Sequence, residues 1–169
     1  MDAKEYIKGQ MAAVRQLIDA AMQETTDEQF NWAPPGTANP IGATLVHTIA
    51  GEDFFVQNIL QGKPRIWETG GWSEKIGLTT PPGRGRGWDE IKGKTLVIAP
   101  VLAYQQAVRA ATDACLANLT AEDLDRKVTF VGTERPVADV IALVIAHTAH
   151  HTGEISALKG VQGGKGLPF

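Results

Sequence analysis

Cysteine is almost absent from this 169-residue chain: Cys115 stands alone, so no internal disulfide can form. Also missing is any run approaching the ~20 consecutive apolar residues that a bilayer-spanning helix needs, which excludes that class of membrane protein. The opening residues MDAKEYIKGQ lack an apolar h-region, so nothing points to export and the expected location is the cytoplasm. Neither sign of charge is in large excess, since 16 Lys plus Arg meet 19 Asp plus Glu for a net charge of -3. Without a global positive field the chain has no general hold on a polyanion, so nucleic acid is not an expected partner. What the chain does have is 43% apolar residues, enough at this length for a real core, and residues 1–169 read as one soluble domain.

Four segments carry helical periodicity. Asp2, followed three residues later by Glu5, has the spacing of a capping box, and the stripe Ile7, Met11, Val14, Ile18, Met22 makes one apolar face. Asp27 to Trp32 reads as a short turn before the loop Ala33-Pro34-Pro35-Gly36. Asn39 and Pro40 suit N-cap and first-turn positions of a second helix running to about Gln61. Residues 62–94 hold eight Gly, three Pro and three of the four Trp, a composition that disfavours long regular elements and points to a packed crossover. At least one of Trp67, Trp72 and Trp88 should lie against the bundle, because exposed indole rings are unfavourable. A third helix follows, with Val101, Tyr104, Val108, Ala111, Cys115 and Leu119 in line, and then a short turn capped by Thr120. Val128 to Val131 favours β structure but is too short to found a sheet. Pro136 opens the last helix, whose stripe is read as Val140, Val144, His147, His151, Ile155 and Leu158. Four long helices without substantial strands predict an all-α four-helix bundle with a long crossover between the second and third.

Three of the four histidines fall in His147-Thr148-Ala149-His150-His151, and the fourth is His47 in the second helix. Residues four apart on a helix share a face with Cβ atoms about 5–6 Å apart, so His147 and His151 can converge on one ion. His150 lies about 60° away from that line and reads as solvated or supporting. A lone histidine on an apolar face is ordinarily a core residue with one hydrogen bond. An inward pair with no acidic partner on its stripe is costlier to bury, which favours a shared metal. His47, flanked on its face by the small residues Ala43, Ala50 and Gly51, which would leave room for an ion, a water and a substrate, is the candidate third ligand. Three imidazoles with open positions match the ligand count of catalytic zinc sites, and imidazole alone does not choose between zinc, nickel and iron.

Sharper motifs are absent. Thr148 follows the first histidine of the pair where a zincin carries Glu, and neither Glu52 nor Glu154 has a histidine three residues on, as di-iron bundles require. Cys115 sits on the inner stripe of its helix and reads as a buried thiol without a nucleophilic role. Arg84-Gly85-Arg86-Gly87 is followed at once by Trp88, Asp89 and Glu90, and reads as a solvated loop. The tail VQGGKGLPF has no preceding strand, so it makes no phosphate loop and is either a loose end or a packing strap.

The stretches Ile41-Gly42-Ala43-Thr44-Leu45-Val46-His47 and Ala146-His147-Thr148-Ala149-His150-His151-Thr152-Gly153-Glu154-Ile155 resemble those of the DinB/YfiT-like metalloenzyme family. The resemblance covers nearly the whole chain in order. It implies a four-helix bundle, often a homodimer, with one divalent ion, commonly nickel or zinc, on His47, His147 and His151. The chain reads His151-Thr152-Gly153-Glu154 where the commoner ending is His-Arg-Gly-Gln, so a role of that arginine does not carry over. Some relatives are S-transferases or isomerases that use a low-molecular-weight thiol such as glutathione, mycothiol or bacillithiol. The readings open on sequence are thiol-dependent transfer on a small-molecule substrate, metal-dependent hydrolysis, and a non-catalytic stress-associated metal-binding bundle.

Overall fold

The computed structural model describes residues 2–167. The Asp2 carboxylate accepts from the N–H of Glu5 at 2.8 Å and starts α1 (Ala3–Met22), which buries Met11, Val14, Ile18 and Ala21. Thr26 and Gln29 form a reciprocal capping box on the short α2 (Asp27–Asn31), whose Phe30 is fully buried. The next helix, α3 (Ile41–Asp53), begins one residue later than expected. Pro40 is its N-cap and offers its carbonyl to Thr44 N–H, with no side-chain cap from Asn39. A proline contributes nothing to the orphan donors of the first turn, so α3 depends on packing, and nearly all of its residues are buried.

The helix does not continue to Gln61 as an α-helix. After Asp53 it widens into a π-helical segment, Phe54–Leu60. Beyond it the crossover folds into three short helices, α4 (Ile66–Thr69), α5 (Trp72–Ile76) and α6 (Trp88–Lys92). Trp67 and Trp72 are buried against Tyr104, with ring centroids 5.3 and 5.5 Å away. The crossover is fastened to the bundle by Asp53, whose buried carboxylate accepts from Ile66 N–H at 2.8 Å, Trp67 N–H at 2.9 Å and the Tyr104 hydroxyl at 2.7 Å.

Then come α7 (Ile98–Asn118), α8 (Ala121–Asp125) and the antiparallel pair β1 (Lys127–Phe130) and β2 (Thr133–Pro136). The segment expected to be too short for a sheet is thus one arm of a hairpin. Its two turn residues, Val131 and Gly132, have φ of +53° and +72°. Positive φ at both positions suits a primed turn; glycine adopts it freely, whereas a β-branched valine there is strained.

The last helix, α9 (Val137–Val161), lies between α1 and α3. Lys159 reaches the carbonyls of Ala21 and Gln23 at the end of α1, so α1 and α9 run parallel. Arg15 pairs with Asp113 and Arg109 with Asp19, which sets α7 antiparallel to α1. Tyr104 lies against Asp53 and Cys115 shares a wall with Gln57, so α7 runs parallel to α3, an arrangement that only a long crossover permits. Among the described residues the tail does not hang free: Leu167 packs on the core. The tail's last two residues, Pro168 and Phe169, lie outside the described residues. No described helix is long and apolar enough to cross a membrane.

Candidate metal centre

The buried face of α9 is not the stripe drawn from sequence. From Val140 and Val144 it runs on through Thr148, Thr152, Ile155 and Lys159, while His147 and His151 sit half-buried on its flank. Thr148 and Thr152 suit the interior because each hydroxyl donates to the carbonyl four residues back, at 3.0 and 2.7 Å. The flank position turns the histidines toward α3 and the crossover, where His47 waits on the neighbouring helix.

The structure brings His47, His147 and His151 together. Nε2 of His147 lies 3.1 Å from Nε2 of His47 and 3.2 Å from Nε2 of His151. Each outer ring is fixed by its other nitrogen. Nδ1 of His47 is 2.9 Å from the carbonyl oxygen of Pro82, and Nδ1 of His151 is 2.7 Å from a carboxylate oxygen of Glu154. Both partners accept only, so both Nδ1 atoms carry the proton and both Nε2 atoms present lone pairs. The cluster therefore holds two acceptors facing His147, whose single Nε2 proton can serve them only by being shared. A cation at the centre satisfies all three lone pairs at once. The two spacings to His147 fit this: ligand bonds of about 2.0–2.1 Å place nitrogen neighbours roughly 2.9–3.4 Å apart for angles between a right angle and the tetrahedral value, and the ligand atoms of all three lie within 4.8 Å of one another.

The electrostatics lean the same way. Burial, reinforced by His151 and His47, holds the His147 imidazole down to about 3, and burial also lowers His47. Neutral imidazole is the form that ligates a metal. Outer-sphere partners of the kind Pro82 and Glu154 provide are the usual means of fixing tautomer and ring direction in metal-binding histidines.

Three neighbours shape the surroundings. Trp88 lies against His47 with centroids 5.0 Å apart, and Phe55 lies 6.2 Å from His147. Gly51 does not leave substrate space over the cluster, as its place beside His47 suggests in sequence. A Cβ on it would come 2.6 Å from Cε1 of His147, so the missing side chain is what admits that ring. His150 is exposed, and Cys115 is buried elsewhere on α7. Arg84 and Arg86 are exposed at the tip of a tight turn closed by mutual backbone hydrogen bonds between Gly83 and Arg86. Sequence reasoning missed Pro82, because a backbone carbonyl leaves no residue-type signal. The nearest clue was the rigid Pro81-Pro82 pair in a glycine-rich stretch.

The fold has solved relatives. A conserved protein from Enterococcus faecalis superposes with a TM-score of 0.79 at 18% identity, over 96% of this chain and 99% of that one. A DinB-like protein from Bacillus subtilis gives 0.60 at 16% identity, covering 98% and 95%, and one from Bacillus cereus gives 0.59 at 17%, covering 93% of each. No curated protein matches the chain in sequence. The sequence profile of the DinB superfamily matches residues 10–155, a span that contains all three clustered histidines and every long helix except the ends of the first and last. The chain belongs to the DinB superfamily.

Proposed function

We propose that His47, His147 and His151 hold one divalent cation, zinc or nickel, and that the loaded site acts as a thiol-dependent S-transferase or isomerase on a small electrophile. The observation that carries this reading is the meeting of three Nε2 atoms at 3.1 and 3.2 Å with both outer Nδ1 atoms already engaged. When bound, the ion supplies Lewis acidity strong enough to deprotonate a low-molecular-weight thiol at neutral pH.

The chain's own residues do the positioning. Pro82 and Glu154 keep His47 and His151 in the tautomer that points Nε2 inward, and Gly51 makes room for His147. Half-burial of all three rings leaves them approachable, while Trp88 and Phe55 provide apolar walls for the hydrocarbon part of an electrophile. The cluster contains no carboxylate of its own, and Glu154 is taken up by His151. A mechanism in which the ion itself deprotonates the nucleophile, with no protein base, therefore suits it.

Two measurements test the proposal. Elemental analysis of protein purified without chelator should find close to one divalent ion per chain, and an ion retained by the double variant His147→Ala, His151→Ala refutes the ligation. Transfer of glutathione, mycothiol or bacillithiol to chlorodinitrobenzene should require that ion. A metal-loaded protein inert with all three thiols overturns the transferase reading.

A further inference from the structure

Away from the histidines, a cavity of about 430 Å3 opens between the π-helical segment, α7 and the residue that follows α8. Its size is that of a small-molecule site. Leu60, Ala111 and Leu119 give it an apolar floor, and its only charged lining residues are Lys63 and Arg126. In a chain of net charge -3, a cavity carrying two cations and no acid among the described residues is a local reversal of sign. The two cations are weakly committed. Lys63 donates to the neutral Gln61 amide oxygen at 2.7 Å, and Arg126 donates to the Leu60 carbonyl at 3.3 Å and keeps Asp123 at 3.9 Å.

A second observation is independent of charge. Gln57, only 4% exposed, belongs to the same wall, and its amide Nε2 has no hydrogen-bond partner although its oxygen accepts from Gln61 at 3.1 Å. A buried amide left without an acceptor costs about 1–3 kcal/mol, so the wall keeps one donor unserved beside its two cations. The π segment that carries Gln57 is itself rare, and such segments recur at functional sites.

We propose that this cavity binds a small aliphatic carboxylate, separately from the histidine cluster, with Lys63 and Arg126 holding the carboxylate and Leu60 and Leu119 the hydrocarbon. The ligand supplies the negative charge that the cavity lining lacks. Cys115 lies in the same wall, where burial raises its thiol, with Lys63 and Arg126 acting against that rise and Asp123 with it.

Calorimetric titration of the full chain with hexanoate, and with neutral hexanamide as the matched control, tests the assignment. Hexanoate should bind saturably, with hexanamide at least about tenfold weaker, the equivalent of ~1.4 kcal/mol. Lys63→Gln with Arg126→Gln should weaken hexanoate by a similar factor while circular dichroism is unchanged, and Lys63→Gln alone reads the same effect if the pair fails to fold. Ala114→Leu, from the exposed side of the lining, should block binding by filling the cavity. His147→Ala should leave it intact. Equal binding of hexanamide, no saturation by hexanoate, or hexanoate binding lost with His147 but kept in the lysine and arginine variants would each overturn the proposal.

Discussion

Two polar groups on one helix stretch show opposite ways of placing polarity inside this bundle. Asp53, at the end of α3, is completely buried yet fully served, with three donors on its two oxygens. His47, on the same helix, is only half-buried, yet its inward nitrogen faces another histidine nitrogen. The first arrangement is complete within the chain and ties the crossover to the core. The second leaves three inward nitrogens to share a single proton. Burial alone would rank Asp53 as the more unusual residue, whereas hydrogen-bond accounting picks out the histidines as the site.

The sharpest way to break the contrast is to remove one group from each region. Asp53→Ala strands two backbone N–H groups and a buried hydroxyl, and should cost ~3–5 kcal/mol in denaturant unfolding. His147→Ala, assayed without metal, should cost no more than ~1–2 kcal/mol, since the one proton it loses is shared between two acceptors. Metal affinity should reverse the ranking: His147→Ala is expected to lose at least ~100-fold in a competition titration against a chromophoric chelator, more than the usual loss from an outer-sphere partner.

Gly51→Ala sharpens the comparison from the packing side. Its Cβ would sit 2.6 Å from His147 Cε1, so the ring must move. The expected result is a metal affinity lower by ~10- to 100-fold with ~1–3 kcal/mol of overpacking cost. A variant that binds metal as the parent does would show that the ring has another place to go.

Acid separates the two regions by sign. His147 is held to about 3 against an unfolded value of 6.5. The unfolded chain therefore binds the extra proton first, and the metal-free protein should lose stability as pH falls from about 6.5 towards 3. Asp53 is raised by burial, so the folded chain takes up its proton more readily, and its contribution falls as pH rises from 3.8 through the raised value. Unfolding free energies measured against pH for His147→Ala and Asp53→Asn should show these slopes removed one at a time. The smallest effect belongs to Glu154→Gln, which keeps an acceptor for His151 but removes its charge. Roughly tenfold weaker metal binding is expected, with the fold unchanged.

The four long helices and the histidine trio were legible because both rest on repeated spacing: apolar stripes for the helices, and two imidazoles four residues apart for the pair. The π segment was not. A widening of the turn over seven residues leaves no period to detect, and Phe54 to Leu60 reads as ordinary apolar helix. The inner face of α9 was misdrawn because Thr148 and Thr152 look polar in sequence, while on a helix their hydroxyls turn back to the main chain. Gly51 was seen as small and correctly placed near the cluster, but its purpose depends on how closely two helices approach, which no one-dimensional pattern records.

The carbonyl of Pro82 leads to a point about heredity rather than energy. It sets the proton position on His47 from the main chain, so no codon change deletes it. An alanine scan of the crossover leaves the carbonyl itself in place and acts on it only through the backbone path, which is held where a Cβ on Gly87 would come within 2.9 Å of the Thr80 carbonyl and where Trp88 donates to Gly83. What natural variation can disturb is the path itself, through insertions or deletions between Leu78 and Trp88. Length changes in that interval, more than most substitutions, are where the register between crossover and histidine is written.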